Sequence, residues 1–150
     1  MKEENELTTD EILQMLFSEP TLEHWMTKEA SDIRFPSFSD YITALCRQRQ
    51  EPPERVINRA NLERSYGHHL FSGRRNPSRD TVLQLAFGFG LDYEETQELL
   101  KVARKSQLYP RVKRDMVLAY CLYHRYSLTA CQEALQQYGL PLLGEGSRYA

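Results

Sequence analysis

Long apolar runs are what this sequence most plainly lacks: no stretch approaches the roughly 20 residues a membrane-spanning helix needs. The first residues, MKEENELTTDE, are acidic and hold no apolar signal core, so export is not expected. Alternating apolar and polar residues, the mark of a half-buried strand, are missing too, and an all-α fold is expected in their place. Cysteine is scarce. Cys46, Cys121 and Cys131 lie in segments of helical apolar spacing without close pairing. That pattern fits reduced, buried thiols of a cytoplasmic protein, and neither a disulfide framework nor a zinc site. Gly88 and Gly90 end an apolar helix with no phosphate cradle after them, and no Ser-His-Asp set or carboxylate pair stands out. The residues therefore give no support to an enzyme, a cofactor or a metal centre. Internal repeats and low-complexity tracts are also absent.

What is present is a soluble-type composition, 41% hydrophobic and 27% charged over 150 residues. That length suffices for one domain with a core, or a smaller domain with helical extensions. The formal net charge is -2, but it is unevenly placed. Residues 1 to 32 hold nine acidic and two basic side chains, a net of -7, which leaves +5 for the remainder. An acidic start and a basic body are more informative than their sum.

In order along the chain, a frayed start gives way to Thr8 and Glu11 at capping-box spacing, followed by Ile12, Leu13, Leu16 and Phe17 on one side of a helix. Pro20 ends it and opens a second, sided by Leu22, Trp25 and Met26. These two form an acidic extension, 1–34, which either covers part of the core or competes with a polyanion for a basic surface. Phe35-Pro36 breaks the pattern; Ser37 caps, and Phe38, Tyr41, Ile42 and Leu45 make a buried stripe. Glu51-Pro52-Pro53 then opens a short helix. Gly73 ends the one after it, and Ser78 caps a helix with Val82, Leu85, Ala86 and Phe89 inside. Asp92 and Glu95 begin another, with Thr96, Leu99, Leu100 and Ala103 inside. After LYPRVKRD come two more, one striped by Met116, Val117, Tyr120 and Cys121, the other capped by Ser127 and lined by Leu128, Cys131 and Leu135. The tail beyond Leu143 is expected to be mobile. The organisation expected is an extension at 1–34, a core at 35–106 and a C-terminal helical pair with tail at 107–150.

The middle of the core, PERVINRANLERSYGHHL from Pro53 to Leu70, reads as two short helices around a tight turn. Val56 and Ile57 face inward from the first, Asn61 takes the left-handed turn position, and Leu62, Tyr66 and Leu70 face inward from the second. Around them stand Arg55, Arg59, Arg64, His68, His69, Arg74 and Arg75. So compact a basic surface points to a nucleic-acid partner.

From about Phe38 to Ala103 the chain resembles the lambda-repressor-like (Cro/cI-type, XRE) helix-turn-helix family, and GRRNPSRDTVLQLAFGFGL carries most of the likeness. The flanks, LYPRVKRD and the last helices included, look like those of a bacterial subgroup of regulators with extra N- and C-terminal helices. The resemblance implies a five-helix core, transcription regulation, and double-stranded DNA as partner, read in the major groove by the helix at about 63–72. With Tyr66, Gly67 and Leu70 inward, Arg64, Ser65, His68 and His69 face out toward base edges, and Arg64 suits a bidentate bond to guanine. Arg74 and Arg75, with Arg47 and Arg49, are the candidate phosphate contacts. A homodimer through the terminal helices is a further expectation, and the competing reading is a helical adaptor that binds protein.

Two positions depart from the family pattern. Ile57 stands where a small residue is usual, and Gly67 where a branched apolar one is usual, so Ile57 is expected to fill the space above Gly67. His68 and His69 point about 100° apart on a helix and cannot chelate one ion. Tyr120, Tyr123 and Tyr126 recur every third residue as a partly buried stripe, suited to core or dimer contact before base stacking. Arg111, Lys113 and Arg114 either extend the phosphate surface or pair with the acidic extension.

Overall fold

A computed structural model describes residues 7–29 and 37–144. The frayed start at 1–6, the Phe35-Pro36 break and the tail from Glu145 onward lie outside them. The chain divides into two compact units, Met1–Pro36 and Ser37–Ala150. The described residues hold helices and no strand, and none of those helices is long and apolar enough to cross a membrane.

In the first unit, α1 spans Thr9–Ser18. The expected capping box forms, with the Thr8 hydroxyl accepting from the Glu11 N–H and the Glu11 carboxylate from the Thr8 N–H. After Pro20, α2 (Leu22–His24) runs directly into a π-turn, Trp25–Glu29.

The second unit contains α3 (Phe38–Arg49), α4 (Pro53–Arg59), α5 (Arg64–Ser72), α6 (Arg79–Phe89), α7 (Tyr93–Val102), α8 (Lys113–Tyr123) and α9 (Leu128–Gln137). Their starts follow local chemistry. Ser37, Ser78 and Ser127 each accept from the N–H three residues on, Asp92 and Glu95 make a second capping box, and Pro53 occupies the first turn of α4. The five helices from Phe38 to Val102 fall where the sequence places them.

Helix α6 is the axis of this unit. Thr81 through Ala86, Gly88 and Phe89 are all buried, because α4, α7 and α9 pack around it. Gly88 permits the closest approach: a Cβ there would lie 2.7 Å from the Val56 carbonyl oxygen and 3.0 Å from the Ala60 Cβ. The same crossing is stitched by Arg59 Nε donating to the Gly88 carbonyl (2.9 Å) and Gln84 Nε2 donating to the Ala60 carbonyl (3.1 Å).

The final helical pair, expected as an appended segment, belongs to the same compact unit, and two Arg-Asp dipeptides show how. Arg79 donates to both oxygens of Asp115 (3.0 and 2.9 Å), and Arg114 to both oxygens of Asp80 (3.0 and 3.0 Å). Each arginine also reaches backbone carbonyls, Arg79 those of Ser106 and Gln107, Arg114 those of Pro141 and Leu142. Arg114 is thus bonded inside the fold, contrary to both roles expected of it. The stripe expected on α8 is also displaced. Its buried face is Asp115, Leu118, Cys121 and Leu122, while Met116 and Tyr120 are exposed. The shift follows from the fork, which turns Asp115 inward and carries its neighbour Met116 outward. The three cysteines are free and buried, as expected.

Candidate nucleic-acid interface

Helices α4 and α5 form the two-helix unit, with Asn61 at φ 55° in the turn between them. Val56, Ile57, Gly67 and Leu70 are buried, and the Tyr66 hydroxyl lies 3.1 Å from the Thr81 hydroxyl. A Cβ placed on Gly67 would stand 2.5 Å from Ile57 Cγ2 and 2.7 Å from Cγ1. Ile57 therefore fills the volume above the glycine, as the resemblance implies. Gly73, at φ 82°, ends α5 in the left-handed conformation that glycine adopts without strain.

The four residues expected on the outward face of α5 differ in exposure. Arg64 and Ser65 are exposed, and His68 and His69 are half-buried. Arg64 Nε lies 2.7 Å from Glu54 Oε1 on α4, in a pair open to solvent, with side chains 75% and 58% exposed. Glu63 caps the helix, its carboxylate accepting from the N–H groups of Ser65 (3.0 Å) and Tyr66 (2.8 Å). The Tyr66 N–H first, then that of Ser65, hold this carboxyl below the usual glutamate range. Two carboxylates thus flank the start of α5, a feature that sequence spacing did not single out.

Beyond the other end of α5, the N–H groups of Arg74 and Arg75 both donate to the His69 carbonyl (2.9 and 3.2 Å), and their side chains are exposed. Arg47, at the end of α3, and Arg55, on α4, are exposed as well. None of these four has an ion-pair partner among the described residues. Arg49 differs: its guanidinium donates to the Phe89 carbonyl (2.8 Å) and to Glu95 (3.2 Å). There it compensates the negative end of α6, and reaching a phosphate would require leaving both partners. Arg59 is held in the same way, by Gly88 and by Glu51 at 2.7 Å. Arg55 belongs with the exposed set, although the sequence alone gave it no assigned contact.

No family model, no curated protein and no solved structure matches the chain.

Proposed function

We propose that this is a sequence-specific DNA-binding protein of the lambda-repressor-like helix-turn-helix kind, a transcriptional regulator that reads the major groove with α5. The observation that carries the reading is the Ile57–Gly67 contact. It supports a two-helix unit in the register that leaves Arg64, Ser65, His68 and His69 outward, with Arg55 on α4 and Arg74 and Arg75 after α5 exposed as well. Arg74, Arg75 and Arg47 hold the backbone, and Arg64 reads a base. The Glu54 pair does not prevent this. An exposed ion pair is worth about 0.2–1 kcal/mol, whereas a bidentate bond to guanine is worth about 1–3 kcal/mol of discrimination.

The test is a salt titration of binding to random duplex DNA. Affinity should fall steeply with added salt, and Arg74→Ala with Arg75→Ala should flatten that slope. Selection of bound sequences from a random pool then gives the operator.

A second reading, a helical adaptor that docks a protein, is favoured by the carboxylates of Glu63 and Glu54 at the start of α5, where a polyanion would otherwise find only N–H groups and arginine. An adaptor would show no appreciable binding to duplex DNA even at low salt.

A further inference from the structure

The tyrosines of the α8–α9 hairpin take no part in the reading above. They are more exposed than the partly buried stripe their spacing suggests: Tyr120, Tyr123 and Tyr126 are 56%, 71% and 40% exposed. Tyr126 falls beyond the end of α8, because Arg125 adopts a left-handed conformation at φ 61° and turns the chain back. That reversal brings the Tyr126 ring against Tyr120, with centroids 5.9 Å apart and planes at 85°. Tyr120 is braced from another side by His124, at 4.2 Å.

Tyr120, Tyr126 and Tyr138 border one cleft of ≈ 530 Å³ between α8 and α9, which Val117, Ala134 and Glu133 also line. This volume suits a small organic molecule. Glu133 is the one acidic side chain of the lining, which includes no lysine, arginine or histidine. It has no bonding partner among the described residues. Tyr126 titrates above the ordinary tyrosine range, first because of the neighbouring Tyr120 hydroxyl, so its phenol is neutral at pH 7. The faces of aromatic rings carry the negative end of their quadrupole, and three tyrosines border this one cleft. A carboxylate beside them disfavours an anion and favours a cation whose charge is spread over apolar groups.

We propose that this cleft is a binding site for a small organic cation, with an alkylammonium head against the rings of Tyr120, Tyr126 and Tyr138 and its charge beside Glu133. Such a head is carried either by a free small molecule or by an alkylated lysine side chain, and the chemistry of recognition is shared.

The full chain is titrated with choline, with benzyltrimethylammonium and with 3,3-dimethylbutanol, the neutral isostere of choline, while backbone amide resonances are followed by NMR. The two cations should give saturable shifts confined to α8, α9 and their connection, with the neutral isostere at least about tenfold weaker. Tyr126→Leu should weaken the cations about tenfold, and Glu133→Gln severalfold, with unchanged thermal unfolding. A trimethyllysine peptide that binds more tightly than choline supports a protein side chain as the source; the reverse supports a free molecule. Equal binding of the neutral isostere, shifts that map elsewhere, or affinity unchanged in both variants would overturn the proposal. So would sedimentation showing a dimer that buries the cleft. DNA takes no part in these measurements, so failure of the regulator reading leaves them intact.

Discussion

A methyl group on Gly67 would sit 2.5 Å from Ile57 Cγ2, far inside carbon–carbon contact. Gly67→Ala gains about 1 kcal/mol in helix propensity, but overpacking costs about 1–3 kcal/mol, so a net loss of about 1 kcal/mol is expected. Ile57→Ala alone leaves a cavity and should cost about 2–5 kcal/mol. Combining Ile57→Ala with Gly67→Ala should lose much less than the sum of the single changes, and urea denaturation of the four proteins measures that coupling. Additive losses would mean that the two residues do not share one space. Arg64 offers a separate check. Glu54→Ala should leave stability within about 0.5 kcal/mol and raise affinity for duplex DNA severalfold, read by fluorescence anisotropy; unchanged affinity would place Arg64 away from the duplex. Residues whose partners are near in sequence were legible in advance: Thr8, Ser37, Ser78, Asp92 and Ser127 bond to amides three residues on, and Asn61 needs only its own turn. Arg49, Arg79 and Arg114 were not, because the acidic partners that occupy them lie 46, 36 and 34 residues away. A guanidinium destined for phosphate and one destined for a buried carboxylate look alike until the chain is folded.

Among the elements, the starts of α6 and α8 depend on each other through the two Arg-Asp forks. Asp80 shows the energetics. Burial acts to raise its pKa, but bonds from the Arg114 guanidinium and the Gly144 N–H outweigh burial and hold it below the ordinary aspartate range. A carboxyl depressed in the folded state contributes stability above its unfolded pKa, about 3.9, and that contribution is lost as pH falls through the folded value. Asp80→Asn should therefore cost about 3 kcal/mol at neutral pH and flatten the acid limb of stability below about pH 4. Thermal unfolding from pH 7 down to pH 2 tests both; a parallel acid limb in the variant would mean that Asp80 does not carry it. The fork also explains why the apolar stripe of α8 could not be placed from spacing. Helical periodicity identifies a face, but Asp115 on that face looks like a solvent position until Arg79 and the Tyr109 N–H are brought to it. The tyrosine cleft escaped notice for a similar reason, since the left-handed turn at Arg125 has no glycine to announce it.

At the scale of the whole molecule, charge and architecture divide at the same place. Residues 1–36 hold nine acidic and three basic side chains, which leaves a net +4 on residues 37–150. Deleting residues 1–36 should leave a cooperatively folding protein and raise affinity for random duplex DNA at low salt, since the deletion removes a net charge of -6. Circular dichroism and a salt titration of the shortened chain measure the two effects, and unchanged affinity would confine the acidic segment to a role away from the duplex. Where α4 crosses α6 at Gly88, main chain rests on main chain, and the Arg59 and Gln84 side chains tie the joint by bonding to carbonyls across it. Whatever the pair α4–α5 meets therefore encounters a preset tooth. Accommodation to one ligand over another must come from the long arms at its rim, Arg55, Arg64, Arg74 and Arg75, which can swing without disturbing the joint beneath.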